Sequence, residues 1–190
     1  KLGLEEEKHF LLEIRDAKGD LKVVEEAASN LEREKVNLIF AINTSVARVT
    51  KGATAEVPIV FCAGADPVTL GLVDSFAKPG GRLTGVHFLA TDLTAKRLEI
   101  LKDIQPKLRR VMTFYNPGNP IAMEAAKLGR EEARRLHVEF IERQVSSVKE
   151  LQAALWALKA GEADAYFYTS DAMMASQAQL IIEMARDKRW

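Results

Sequence analysis

A single cysteine, Cys62, leaves this chain no internal disulfide framework and no cysteine-based zinc site. Its three histidines, His9, His87 and His137, are far apart and fit no metal-ligand spacing. Charge of one sign is lacking too. Lys and Arg total 27 and so do Asp and Glu, which leaves no net field to gather nucleic acid or an anionic membrane surface. No run approaches the roughly twenty apolar residues that span a bilayer. The opening KLGLEEEKHF is acidic where a signal peptide is basic and then apolar, although a leader removed on export would leave the same start. There is no Walker-type loop and no G-x-G-x-x-G, so no nucleotide cofactor is expected. What is present, 47% hydrophobic and 28% charged residues in 190, describes an ordinary globular chain.

The informative stretch runs from Val36 to Gly81. It holds two apolar runs, VNLIFAI and VPIVFCAG, which end in Asn43-Thr44-Ser45 and in Ala65-Asp66-Pro67. Near-continuous apolar runs of this length fit strands of a parallel sheet, and the residues between them suffice for a crossover helix. In such sheets ligands bind beyond the carboxyl ends of the strands, where starting helices present free N–H groups.

The same alternation extends over the chain. His9–Arg15 reads as a strand followed by a helix capped by Asp20. Asp66-Pro67 predicts a helix to about Ala77, stopped by Pro79-Gly80-Gly81, and Leu83–Phe88 is the next strand. A helix from Asp92 carries Leu93, Leu98, Leu101 and Ile104 inward until Pro106. Val111–Tyr115, Val138–Val145 and Ala163–Thr169 are further strands. The helices after them start at Asn119-Pro120, at the capping box Ser147–Glu150 and at Asp171, the last running towards Trp190. Strand and helix alternating seven times predict an α/β fold with parallel sheets and a domain boundary near Leu89–Asp92.

Three segments carry a family resemblance: DPVTLGLVDSFAKPGGRLTGV (Asp66 to Val86), KRLEILKDIQP (Lys96–Pro106) and YNPGNP (Tyr115–Pro120). Together they resemble ABC-transporter substrate-binding proteins of the type I periplasmic-binding fold, with the motifs in the expected order. Arg82 departs from the pattern, where family members usually have Asn. The resemblance implies two lobes of three-layer α/β/α sheets, residues 1–89 and 90–190, closing on a small ligand. Its implied partners are that ligand and the permease subunits of an importer, without nucleic acid. Its implied location is periplasmic, or extracellular on a lipid anchor. Family members normally have a strand and helix before the position of Lys1 and more elements after Trp190, which implies part of a longer protein. Sheets so truncated expose edges that a second copy could pair, giving a homodimer.

The candidate site follows from the strand ends. Asn43, Thr44 and Ser45 are placed to receive a carboxylate through backbone N–H groups and hydroxyls, or simply to cap a helix. Asp66 could meet an ammonium group, but an N-cap role explains it better. Ala63, Gly64 and Ala65 are small enough to let a ligand approach backbone. Tyr115 and Asn116 would face them from the second lobe, with core packing the rival for Tyr115. Asn119 reads as a cap, and Asp171 as either a cap or an ammonium partner. Cys62, inside an apolar run, reads as an inert core thiol. The expected function is non-enzymatic binding of an amino-acid-like or polar solute, without metal or cofactor. The rivals are the ligand-sensing domain of a regulator or sensor kinase, and an enzyme using Cys62 or Asp66.

Overall fold

Short aliphatic runs that end in helix-capping residues build two parallel sheets, each of three strands. The computed structural model describes residues 3–190. In the first sheet β1 (Ile39–Ile42), β2 (Ile59–Ala63) and β3 (Leu83–His87) lie in the order β1-β2-β3. In the second, β4 (Arg110–Tyr115), β5 (Glu139–Gln144) and β6 (Ala165–Tyr166) lie in the order β5-β4-β6, and every pairing is parallel. The helices are α1 (Leu21–Arg33), α2 (Thr44–Ala53), α3 (Thr94–Ile104), α4 (Pro120–Arg135), α5 (Val148–Ala157), α6 (Ala172–Ser176) and α7 (Ala178–Lys188). The chain is thus α/β with parallel sheets.

Capping chemistry sets where most helices begin. Asp20 Oδ1 accepts from Lys22 N at 2.9 Å, and Asn119 accepts from Ile121 N with Pro120 at the first position. Ser147 Oγ accepts from Glu150 N at 3.2 Å, and the Glu150 carboxylate returns a bond to Ser146 N at 2.7 Å. That is a capping box with its return bond one residue early.

The second sheet is covered on both faces. Met112 and Phe114 pack on Leu151, Leu155, Met174 and Ile181 of α5 to α7. Val111 packs on the other side with Leu98 of α3 and Ala133 of α4. Each of the larger buried side chains contributes about 1.5–3 kcal/mol. The first sheet buries Ile39, Ala41, Ile59, Phe61 and Leu83 beneath Ala47 of α2, with Leu31 of α1 packed against them. Its opposite face presents Phe40, Ile42 and Val86 to solvent among the described residues. Cys62 belongs to that face and is half-buried, not sealed in a core as its apolar run predicts.

Arg82 braces this half. Its guanidinium donates to Thr54 Oγ1 and Val57 O, both at 2.9 Å, to Lys51 O at 2.8 Å and to Thr54 O at 2.6 Å. It therefore satisfies carbonyls that the end of α2 leaves without partners. From the other side the Glu32 carboxylate accepts from the N–H groups of Ala55, Glu56 and Val57, and these bonds hold it below the usual carboxylate range.

Several local expectations are overturned. His9–Arg15 forms no strand; among the described residues it has only an isolated bridge from Phe10 to Glu6, and Leu11, Leu12 and Ile14 are exposed. A strand exists only where a neighbour supplies its hydrogen bonds. The helix expected over Asp66–Ala77 is a series of turns. Asp66 caps it as predicted, but Gly71 takes φ +64° and Leu72 N reaches back to Pro67 O, so the helical repeat fails after one turn. β2 therefore passes to β3 without a helix, and the strict alternation breaks there. The strand at 163–169 shortens to Ala165–Tyr166, and the last helix is interrupted at Gln177. Leu98 is buried on α3 as expected, whereas Leu93 and Ile104 are exposed.

Candidate functional site

The carboxyl ends of strands from both sheets converge on a cluster of buried polar residues: Thr44, Ser45, Asn119, Thr169, Ser170 and Asp171. Buried polar groups need partners, and those partners show what each residue is committed to.

At the end of β1, Asn43 sits at φ 88° and ψ 146°, a backbone that non-glycine residues rarely adopt. Its side chain accepts from Ser45 N at 3.1 Å, which starts α2 and holds the bend. Thr44 Oγ1 accepts from Gly64 N at 2.9 Å and Ala65 N at 3.2 Å, tying the end of β1 to that of β2. Gly64 O in turn accepts from Ala90 N at 2.5 Å, and Ala63 O from Phe88 N at 3.0 Å. The backbone of Ala63–Ala65 is thus spent on joining three strand ends, and Ala63 itself lies in the core.

Asp66 acts as a cap. Its Oδ1 accepts from Val68 N at 2.8 Å and Thr69 N at 3.3 Å, and its Oδ2 from Thr69 Oγ1 at 3.0 Å. The bond from Val68 N is the main cause of its lowered pKa.

On the second sheet Tyr115 is a core residue. It is buried with Ala122 and Ala126 of α4, and its hydroxyl donates to Glu142 Oε2 at 3.1 Å and accepts from Gln144 Nε2 at 3.0 Å. Arg130 of α4 grips the same carboxylate through Nε at 2.6 Å and Nη2 at 2.8 Å. This forked bond, with help from Tyr115, holds Glu142 below the usual carboxylate range against the opposing effect of burial. A carboxyl depressed in the folded state adds stability above its unfolded pKa near 4.3 and loses it as pH falls through the folded value. Thermal melts of the parent and of Glu142→Gln should therefore differ between about pH 5 and pH 7 and draw together as pH falls below that unfolded value. A gap that persists into acid would show that the ion pair is not its source.

Asp171 organises the rest. It is 2% exposed. Its Oδ1 accepts from Met173 N at 2.8 Å, while Oδ2 accepts from Asn116 N at 3.0 Å and Asn119 Nδ2 at 3.5 Å. Asn116 uses its own side chain to accept from Gly118 N at 2.8 Å.

The two halves meet through this cluster. Ser45 Oγ, at the start of α2, donates to Asn119 Oδ1 at 3.3 Å, and both are buried. Beside them Gly64 lies so close to the second half that an added Cβ would stand 2.8 Å from Ser170 Oγ and 3.1 Å from Ala90 Cβ.

Of the predicted residues, Asn43, Thr44, Ser45, Gly64, Ala65, Asn116 and Asp171 thus come together, while Asp66 caps its own turn and Tyr115 belongs to the core. Sequence reasoning missed Thr169 and Ser170, and saw in Asn119 only a cap. The signal was available: TSD after the run AYFY is a polar triplet at a strand end, as NTS is after VNLIFAI.

The sequence model of one family, ABC transporter substrate binding protein, matches residues 1–190. A tyrosine-binding protein of Clostridioides difficile (strain R20291) is 27% identical over 188 residues, which cover 98% of this chain and 53% of that protein. A conserved domain protein from Vibrio cholerae O1 biovar El Tor (strain N16961) superposes with a TM-score of 0.79 at 27% identity, over 98% of this chain and 62% of that one. The ABC domain from Streptococcus pneumonia, solved in complex with L-Trp, gives a TM-score of 0.70 at 20% identity over 90% of this chain and 58% of that one, a likeness of fold. The chain spans about half the length of the curated relative it matches.

Proposed function

Because this chain belongs to the ABC transporter substrate-binding protein family, we propose that its two sheets are the lobes 1–89 and 90–190 of a solute receptor. The receptor traps a small amino-acid-like molecule between the strand ends, does not alter it, and delivers it from outside the cytoplasm to an importer's permease. One observation carries this reading: Ser45 and Asn119, 74 residues apart, bond to each other in a buried polar cluster drawn from both sheets. Isolated polar groups are costly to bury, so a cluster of this size between two separately cored units is suited to a polar guest.

The chemistry of the cluster favours a zwitterion. Asp171 supplies a buried carboxylate for an ammonium group. The start of α2 supplies the Ser45 hydroxyl and helix N–H groups for a carboxylate, which needs no basic residue. Relatives named for tyrosine binding or solved with L-Trp agree with a guest of this class. Closure would exchange the Ser45–Asn119 bond for bonds to the guest, and such contacts, unavailable when the lobes part, favour the closed state.

Ser45→Ala separates this reading from a merely structural one. Its hydroxyl can exchange the bond to Asn119 for one to the guest, whereas that of Thr44 is committed to Gly64 and Ala65. Calorimetry against L-tyrosine and L-tryptophan should show Ser45→Ala weakening affinity by about tenfold, the scale of one hydrogen bond to a charged group. Thr44→Val should cost stability as well as affinity. If neither amino acid, nor any small molecule released from the purified intact protein, binds the parent, the receptor reading fails.

A further inference from the structure

A third contact joins the halves outside the polar cluster and uses none of the groups assigned to the solute. Asp20 N donates to Ala17 O at 2.9 Å around Lys18 and Gly19, whose φ values of 49° and 83° define a type I′ turn. Asp16 Oδ1 accepts from Lys18 N at 2.9 Å and steadies it. This turn presses on α6 of the other half. A Cβ added at Gly19 would overlap Met173 Cα and stand 2.8 Å from Met173 N, which real Cβ atoms essentially never do. Ser176 Oγ lies 3.2 Å from Lys18 O and 2.8 Å from Met173 O and shares its proton between them.

Met173 N also donates to Asp171 Oδ1. The first turn of α6 therefore both holds the buried carboxylate and receives Gly19.

We propose that the turn Ala17–Asp20 is a latch that seats on α6 when the halves close, holding them together without help from solute, and that Gly19 is the positioning residue that permits it. Two requirements coincide at Gly19: a backbone with φ near 83° and an approach to α6 that leaves no room for a side chain. Since the latch and Asp171 share α6, seating the one orders the other. The proposal rests on the receptor reading for closure and for that coupling.

The test measures closure in the intact protein without solute. Fluorophores at Glu25→Cys on α1 and Glu131→Cys on α4, both exposed positions, in a Cys62→Ser background, report the separation of the halves. Gly19→Ala should move the population to longer distances. Gly161→Ala is the control, because Gly161 has φ +80° but no atom within 4 Å of its added Cβ, so it carries the same backbone strain without the contact. Identical distributions for Gly19→Ala, Gly161→Ala and the parent overturn the latch. Should Gly19→Ala not fold, Ser176→Ala decides: a closed-state lifetime shortened roughly severalfold supports the latch, and an unchanged one overturns it. No arm requires solute, so the latch can fail while solute binding stands, and the reverse.

Discussion

Asp171→Ala should lose detectable binding of L-tyrosine or L-tryptophan and also lower the unfolding free energy by about 3 kcal/mol, because in the proposed receptor one carboxylate serves two ends. Removing it leaves Met173 N, Asn116 N and Asn119 Nδ2 without their acceptor in a buried setting. Each buried donor so orphaned costs about 1–3 kcal/mol, with some recovered as water or neighbours adjust. Asp171→Asn divides the two roles. The amide keeps one acceptor for Met173 N and the start of α6 but sets its NH2 against Asn116 N and Asn119 Nδ2, so stability should fall by less, about 2 kcal/mol, while the charge that an ammonium group requires is gone. Denaturant unfolding and calorimetry on both variants give four numbers. Full affinity in Asp171→Asn would remove Asp171 from the solute contacts, and an unchanged midpoint in Asp171→Ala would remove it as the tie between the end of β4 and α6.

That proposed double duty was only half visible in the amino-acid sequence. A carboxylate at a strand end and before a helix reads equally as cap and as ligand group, and the cap is the local half of the pair. Local signals were generally the legible ones. Asp20, Asn119-Pro120, Ser147 and Asp171 start helices as read, because a cap is settled within four residues. What misled was non-local. Residues 9–15 have the composition of a strand, but pairing depends on a neighbour that composition does not specify. Tyr115 looked available until the parallel register of β4 and β5 set Glu142 and Gln144 within reach of its hydroxyl. Arg82, a departure from the family pattern, acquires its role from carbonyls 25 to 31 residues away. The site itself showed where its residues were contiguous, as in NTS. Its second wall, Asn119 with Ser170, exists only once the two sheets face each other.

Gly85→Ala should be the most damaging of the conservative replacements, by about 3 kcal/mol or more, and the reason is space. In the register of β2 with β3, Gly85 lies directly beside Phe61. A Cβ there would overlap the Phe61 carbonyl oxygen and stand 2.7 Å from two of its ring carbons. The ring is 2% exposed in the core of the first half, and the carbonyl is part of the ladder, so neither can yield cheaply. Overpacking of a flexible core side chain costs about 1–3 kcal/mol, and a clash with backbone sits at or above the top of that range. Gly52→Ala provides the opposite sign: Gly52 lies within α2 with nothing within 4 Å of an added Cβ, so alanine should stabilise by about 0.5–1 kcal/mol. Denaturant midpoints moving in opposite directions for the same chemical change would tie the effect to the β2–β3 contact. A Gly85→Ala protein within about 1 kcal/mol of the parent would mean the strands separate easily there. Such looseness would reach the polar cluster, because the N–H groups of Phe88 and Ala90, just past the end of β3, hold the carbonyls of Ala63 and Gly64 in place.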